Sequence, residues 1–235
     1  MNEQLLRHNV ESTRERIALA AERSGRSIDD VEVLPITKGH APEVVLAVAR
    51  QGFTAIGENR VAEAEAKLAA LGRLGLRWHM VGLLQRNKAA GAIATFDVIE
   101  SVDSIRLGKR LQLEAERSAS ESVAVLVQVN AGGDGQKSGF ASTELVDAVG
   151  ELSELNRVNV LGLMTMAPFT SDEHVLRHTF ELARQCLERC QHELAGFHGR
   201  VLSMGMSNDF EIAVEEGSTE VRLGTVLLGD RPEGR

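Results

Sequence analysis

The sequence contains no tyrosine, one tryptophan and seven phenylalanines, so aromatic residues make up only 3% of its 235 positions. The absence of tyrosine removes one acid/base group from every mechanism that the chain could support. Only four prolines and two cysteines are present. So few prolines argue against long disordered segments, and two cysteines cannot build the disulfide framework of a small secreted protein.

Long apolar runs and clusters of positive charge are also missing. No stretch approaches the roughly eighteen apolar residues that span a bilayer, so we expect no membrane association. Twenty-six basic against thirty-four acidic residues leave a formal net charge of −8. A chain of this charge repels a polyanion, so we expect no nucleic-acid partner. The N-terminus lacks a basic head followed by an apolar block, and the cytoplasm is therefore the expected location.

Apolar β-rich runs alternate with amphipathic helical stretches along the chain, a pattern typical of βαβ units and a parallel sheet. A leading helix is predicted from about residue 3 to Arg23. Eight strands are predicted at 31–37, 53–57, 77–82, 97–102, 123–130, 158–166, 200–204 and 219–223. Helices are predicted between them at 42–51, 59–71, 87–93, 104–119, 142–154, 171–195 and 208–216.

Eight strands with seven intervening helices predict an α/β fold, a single (β/α)8 barrel of the TIM type with an additional N-terminal helix. A doubly wound open sheet is the alternative. The chain is 43% hydrophobic, enough for a sizeable core. Because no linker, low-complexity segment or repeat divides it, we expect one domain over residues 1–235.

In such a barrel the chemistry lies in the loops at the carboxyl ends of the strands, and Lys38 follows the first of them. It ends an apolar run that includes Val31, Leu34 and Ile36, which places it at the barrel mouth. Burial there favours the neutral amine, which can condense with an aldehyde or ketone. A strand-end lysine that reaches solvent is an equal alternative on position alone.

Small residues and hydroxyl groups after strands seven and eight predict an anion site. Ser207 offers a hydroxyl beside exposed backbone N–H groups, just before a helix that begins near Asn208. Gly224 and Thr225 add another N–H and hydroxyl after the eighth strand, where barrels often bind phosphate. An ordinary helix cap at Ser207 and a close-packed glycine would explain each feature, but not their coincidence.

Arg222 lies two residues before Gly224 on the eighth strand, so both point the same way, into the mouth and close to the first strand. Such an arginine could pair with a carboxylate or hydrogen-bond a ring nitrogen. A salt bridge with Glu220 or another surface acid is an equal alternative, because the spacing does not distinguish the two.

Two other features carry no predicted site. The helical period turns Cys186 and Cys190 toward the core and the histidines of the same helix toward water, so no metal site is expected there. The glycine-rich segment 131–139 lacks the residue order of a P-loop. We interpret it as a mobile loop with Lys137 at the mouth.

Several longer strings resemble those of a known family. They are 36–38 (ITK), 57–63 (GENRVAE), 78–88 (WHMVGLLQRNK), 137–140 (KSGF), 162–168 (GLMTMAP), 202–207 (LSMGMS) and 217–225 (GSTEVRLGT). In this order, and over essentially the whole chain, they resemble the pyridoxal phosphate homeostasis protein family, also called the proline synthetase co-transcribed homologue family.

The resemblance implies a single barrel similar to the N-terminal domain of alanine racemase, with pyridoxal 5′-phosphate held as an internal aldimine. It implies that Lys38 forms the Schiff base, that Arg222 faces the pyridine nitrogen and that Asn59 lines the cofactor ring. The residues that it assigns to the phosphate are Ser207, Gly224 and Thr225.

An arginine opposite the pyridine nitrogen keeps that nitrogen unprotonated, which weakens the ring as an electron sink. A racemase similar to alanine racemase also needs a tyrosine from a second domain as its second base, and this chain has no tyrosine and no room for that domain. We therefore interpret the chain as a monomeric, non-catalytic carrier that limits free pyridoxal phosphate and passes it to apoenzymes that depend on it. The alternatives are a weak amino-acid racemase, with His40 or Lys137 as second base, and a barrel without cofactor that serves as an interaction module.

Overall fold

A computed structural model of the protein describes residues 3–133 and 138–230. Lys137, expected at the barrel mouth, lies outside the described residues. Within them, eight parallel strands form one sheet: β1 (Glu32–Pro35), β2 (Ala55–Glu58), β3 (Arg77–Met80), β4 (Val98–Val102), β5 (Val123–Gln128), β6 (Val158–Met164), β7 (Val201–Ser203) and β8 (Glu220–Leu223).

The sheet closes on itself. Its strand order is β1-β8-β7-β6-β5-β4-β3-β2, so the first and last strands of the chain are neighbours. Between β1 and β2, a single bridge joins Ile36 to Gly57, and the Thr37 N–H donates to the Gly57 carbonyl over 3.0 Å. The predicted barrel is confirmed, and the doubly wound open sheet is wrong.

Helices surround the strands. They are α1 (Glu3–Arg23), α2 (Pro42–Arg50), α3 (Val61–Leu71), α4 (Ala89–Thr95), α5 (Ile105–Arg117), α6 (Leu145–Ser153), α7 (Glu173–Glu193), α8 (Phe210–Glu215) and α9 (Thr225–Leu228). Helix α1 has the predicted bounds, whereas α9 was not predicted, because its four residues are too few to show a helical period.

The additional helix α1 packs against α8 and α9 through an apolar stripe at helical spacing. Leu6, Val10 and Ile17 of this stripe are buried. Above Phe210 of α8, the Arg16 guanidinium lies 4.5 Å from the ring centroid. Among the described residues, no helix has both the length and the apolar character that a bilayer span requires.

Candidate functional site

A cavity of about 780 Å³ lies at the carboxyl ends of the barrel strands. Its lining comes from the loops that follow the strands, including the residue after β2 and the residues after β8. The structure brings together in this cavity all six residues of the expected cofactor site: Lys38, Asn59, Ser207, Arg222, Gly224 and Thr225.

Lys38 lies in the turn after β1, as predicted, but the strand before it is shorter than the predicted 31–37. Strand β1 ends at Pro35, and the next residue, Ile36, makes the single bridge to Gly57 of β2. The lysine is half-buried. Gly39 beside it has a φ of 73°, a left-handed conformation that glycine adopts without strain, and its N–H donates to Glu63 Oε1 over 2.6 Å.

A buried lysine of helix α3 holds this turn in place. Lys67 Nζ donates to the Thr37 carbonyl over 2.8 Å, to Glu58 Oε1 over 2.6 Å and to Glu63 Oε1 over 2.8 Å. The Thr37 hydroxyl donates to the same Glu58 oxygen. The backbone on both sides of Lys38 is therefore anchored to β2 and α3.

The two carboxyl groups of this cluster have opposite pKa shifts. Burial raises the pKa of Glu58, although hydrogen bonds from Lys67 and Thr37 oppose the shift. Burial alone would also raise the pKa of Glu63, but hydrogen bonds from Lys67 and the Gly39 N–H outweigh burial and lower the pKa of that carboxyl. Lys67 was not among the residues predicted from the sequence to have a role. The available signal was its spacing of four residues from Glu63 on one helix, but that spacing does not reveal burial.

Asn59 reaches the cavity directly after β2, beside a very close backbone approach. A Cβ built on Gly82 would lie 2.4 Å from the Asn59 carbonyl oxygen, so any side chain at that position would displace the loop. Gly82 itself lines the cavity. A glycine at this point after β3 therefore allows the loop of Asn59 to lie at the mouth.

Ser207 does not cap helix α8, so the helix-cap alternative is wrong. That helix begins after Asp209, whose carboxylate accepts the Met206 N–H over 2.6 Å. Ser207 Oγ instead accepts the Val226 N–H over 3.3 Å. This contact brings the Ser207 hydroxyl to the amino-terminal end of α9, where Thr225 is the first helical residue.

Arg222 is 5% exposed and its guanidinium is held by neutral oxygens. One terminal nitrogen donates to Ser203 Oγ and the other to the Thr165 carbonyl, each over 2.7 Å. A surface salt bridge, the alternative for this arginine, is therefore wrong. Because Arg222 also lines the cavity, it presents a buried cation at the cavity wall.

A polar cluster that sequence analysis missed lies beneath Arg222, among the strands. His79 Nδ1 is 2.7 Å from Glu100 Oε1 and 3.7 Å from Glu220 Oε2. The Ser203 hydroxyl donates to Glu100 Oε2 over 2.8 Å. All four side chains are buried. The available signal for Glu100 was a charged residue in the middle of the predicted strand 97–102.

The two carboxyl groups of this cluster have pKa values shifted in opposite directions. Burial opposes the charge on Glu100, but the hydrogen bond from His79 and the charges of His79 and Arg222 lower its pKa. Burial, together with the neighbouring charge of Glu100, raises the pKa of Glu220 to about 8. For His79, the hydrogen bond and charge of Glu100 outweigh burial and raise the pKa.

The raised pKa of Glu220 predicts a pH-dependent effect of the Glu220→Gln substitution. Between its ordinary pKa and about pH 8, the Glu220 carboxyl is protonated in the folded state but ionised in the unfolded state. The contribution of Glu220 to wild-type stability therefore falls as the pH rises toward about 8. Glutamine does not titrate. Denaturant unfolding at several pH values is expected to show the variant gaining stability relative to wild type between about pH 5 and pH 8. A difference that does not vary with pH would contradict the shift.

The rim of the cavity is apolar. Phe169 is 95% exposed and Leu83 is 61% exposed, and both line the cavity with the partly exposed Met166 and Met206. Gln128, which also lines the cavity, donates to the Ser138 carbonyl over 2.9 Å. The cavity is therefore lined by exposed apolar side chains as well as by the charged and hydroxyl groups of the expected site.

Known proteins are similar to this chain in sequence and in fold. A family described as "Alanine racemase, N-terminal domain" matches residues 2–232. The pyridoxal phosphate homeostasis protein of Mycobacterium tuberculosis is 38% identical over 96% of this chain and 93% of that protein. The protein of the same name from Escherichia coli is 34% identical over 95% of this chain and 96% of its own length.

Several solved structures are also similar to this chain. An unknown protein from Bifidobacterium adolescentis has a TM-score of 0.90 at 33% identity, covering 96% of this chain and 95% of the other. PipY of Synechococcus elongatus, with PLP bound, has a TM-score of 0.80 at 36% identity, covering 92% and 99%. An alanine racemase of Clostridium difficile, at 16% identity and a TM-score of 0.79 over 58% of its length, shares the fold alone. The resemblance seen in the sequence strings is thus confirmed, and the chain belongs to the pyridoxal phosphate homeostasis protein family, which has the alanine racemase N-terminal fold.

Proposed function

We propose that this protein binds pyridoxal 5′-phosphate in the cavity at the barrel mouth and serves the homeostasis of that cofactor. The observation that carries the proposal is the convergence of an amine, a buried guanidinium and two hydroxyl groups on one cavity. The PLP-bound structure of PipY, a relative of similar fold and 36% identity, supports it.

The residues of the cavity fit this cofactor chemically. Its volume of about 780 Å³ lies in the range typical of small-molecule sites. Pyridoxal phosphate carries an aldehyde, a ring nitrogen and a phosphate, which call for an amine, a hydrogen-bond donor and an anion site respectively. Lys38, Arg222 and the Ser207 hydroxyl offer these three groups in the same cavity.

Each residue has a separate task in the proposed site. The cofactor supplies a reactive aldehyde, and Lys38 is the amine to which it is covalently attached. Arg222 would donate a hydrogen bond to the ring nitrogen and disfavour its protonation, and Asn59 would line the ring. The phosphate would be held at the start of α9 by three residues that offer backbone N–H and hydroxyl donors: Ser207, Gly224 and Thr225.

We further propose that the protein is a monomeric, cytoplasmic carrier without catalysis of its own. It reversibly holds the aldehyde, limits its free concentration and passes it to apoenzymes that depend on it. Two features of the chain support this assignment over racemisation: it has no tyrosine to serve as a second base, and the proposed partner of the ring nitrogen is an arginine.

The test is reconstitution of the purified protein with pyridoxal phosphate. We expect one equivalent to be retained after gel filtration, with an absorbance band that free cofactor lacks and that borohydride removes. The loaded protein, incubated with L-alanine or L-serine, is expected to leave their optical rotation unchanged. Racemisation at rates above those of free cofactor would instead identify an enzyme, and failure to retain cofactor would refute the binding proposal.

The Arg222→Ala substitution is expected to shift the absorbance of bound cofactor and to weaken its binding by about tenfold or more, as for the loss of a charge-assisted hydrogen bond. Absorbance titration measures both effects. Arg189→Ala, which removes an exposed arginine paired with Glu193 on α7, is the matched control. A spectrum and affinity equal to those of the control would count against the ring-nitrogen role.

A further inference from the structure

We propose that Ser203 and Glu100 are positioning residues that aim the Arg222 guanidinium into the cavity, with His79 holding Glu100 from the far side. The inference rests on the proposed function, in which Arg222 meets the ring of the cofactor. None of these three side chains is among the groups that line the described cavity, so they act on it through Arg222.

The geometry is a continuous hydrogen-bonded chain across the barrel. Arg222 donates to Ser203 Oγ over 2.7 Å, and Ser203 Oγ donates to Glu100 Oε2 over 2.8 Å. The other Glu100 oxygen lies 2.7 Å from His79 Nδ1. These residues belong to β8, β7, β4 and β3, so the chain joins strands on different sides of the barrel.

The chemistry of the groups fixes the donor and the acceptor in each hydrogen bond of this series. An ionised carboxylate only accepts hydrogen bonds, so the Ser203 hydroxyl must use its proton on Glu100. Its lone pairs are then left to face the Arg222 N–H. A hydroxyl polarised by a buried carboxylate is a stronger acceptor than a free one, so Glu100 strengthens the contact that orients the guanidinium.

Charge and burial agree with this role. Arg222 and Glu100 are 5% and 0% exposed, and Ser203 between them is 0% exposed. A buried guanidinium is costly without a counter-charge, and Glu100 supplies one through the shared hydroxyl. The second nearby carboxyl, Glu220, has a pKa raised by burial and by the charge of Glu100, which leaves the negative charge of the cluster on Glu100.

Loss of the Ser203 hydroxyl leaves Arg222 with its contact to the Thr165 carbonyl at 2.7 Å. One contact allows the guanidinium to rotate, whereas two contacts hold its plane. The expected result is therefore a partial loss of the effect that Arg222 has on bound cofactor, and not the full effect of removing the arginine.

The experiment is a double-mutant cycle with pyridoxal phosphate as the probe. Ser203→Ala in the wild-type background is expected to weaken binding by about fivefold, less than Arg222→Ala does, and to shift the absorbance in the direction that Arg222→Ala shifts it. In the Arg222→Ala background the same change is expected to alter binding by less than about twofold, since the group that it positions is gone.

Ser218→Ala is the matched control, because Ser218 is also a fully buried hydroxyl near β7 and donates to the Met204 carbonyl over 2.8 Å. It is expected to lower the melting temperature without shifting the spectrum. Glu100→Gln keeps the shape of the side chain, removes its charge and replaces one of its two acceptor oxygens by an amide donor; it is expected to give a shift intermediate between wild type and Ser203→Ala. It also serves as the test if Ser203→Ala does not fold.

The outcomes separate this inference from the proposed function. Wild-type protein that retains no cofactor would overturn both. If wild type binds, Arg222→Ala weakens binding and Ser203→Ala behaves like Ser218→Ala, the positioning role is wrong while the binding site stands. Equal effects of Ser203→Ala in both backgrounds would likewise show that Ser203 acts independently of Arg222, against the proposal.

Discussion

Lys38→Ala is expected to abolish covalent retention of pyridoxal phosphate. The substitution removes the one amine that lines the described cavity, while the groups proposed for the phosphate and ring remain. Non-covalent binding is therefore expected to persist at reduced affinity. Treatment of the loaded protein with borohydride, followed by peptide mass mapping, measures the covalent fraction, which should fall from near one equivalent to background.

Lys109→Ala provides the control for this prediction. Lys109 is an exposed lysine on α5 that pairs with Glu151 over 2.7 Å, so its loss removes an amine of the same kind from a place remote from the cavity. This variant is expected to label as wild type does. A reducible adduct that survives in Lys38→Ala, or a wild-type label mapped to another lysine such as Lys137, would remove the basis of the assignment.

Lys67→Met is expected to lower the free energy of unfolding by about 3 kcal/mol, the typical result of breaking a buried ion pair from one side. The Lys67 and Glu58 side chains are 4% and 0% exposed, so the carboxylate would be left without its buried cation. Chemical denaturation measures the loss. It should be larger at about pH 8 than at about pH 5, because protonation of a buried carboxyl with a raised pKa relieves the unpaired charge at low pH.

Two comparisons sharpen the Lys67 prediction. Lys109→Met changes an exposed ion pair in the same way and is expected to cost less than about 1 kcal/mol. Adding Glu58→Gln to Lys67→Met removes the unpaired charge and is expected to recover part of the stability. If Lys67→Met is as mild as Lys109→Met, the cluster does not anchor the turn that carries Lys38.

The elements of the fold were largely predictable, because each depends on a local pattern. Helix α1 has the predicted bounds, and each predicted strand contains or overlaps an observed one. The ends of the strands and helices were less predictable. The first strand was expected to reach residue 37 but ends at Pro35, the last residue that pairs with β8. Helix α9 was missed, and Ser207 was compatible with a cap that the structure assigns to Asp209.

The cavity lining was predictable for a related reason. In a parallel barrel every strand ends at the same face, so polar residues just after strand ends must gather there. Lys38 and Arg222 needed only the strand positions to be assigned to one mouth, whereas Asn59 was assigned through the family resemblance. The buried groups behind them were not predictable in the same way. The residues around Lys67 in the sequence do not distinguish it from a helical lysine that faces solvent. No local pattern pairs Glu100 with Ser203, which lies 103 residues away.

The sequence by itself therefore determined the order of strands and helices, the face on which the chemistry lies and the family to which the chain belongs, since all three are carried by local periodicity and short strings. Only the tertiary structure decided which buried charges meet. Burial and hydrogen-bond partners depend on distances between strands far apart in the chain, and those distances decide whether a carboxyl such as Glu220 holds its proton or a guanidinium such as Arg222 is held toward the cavity.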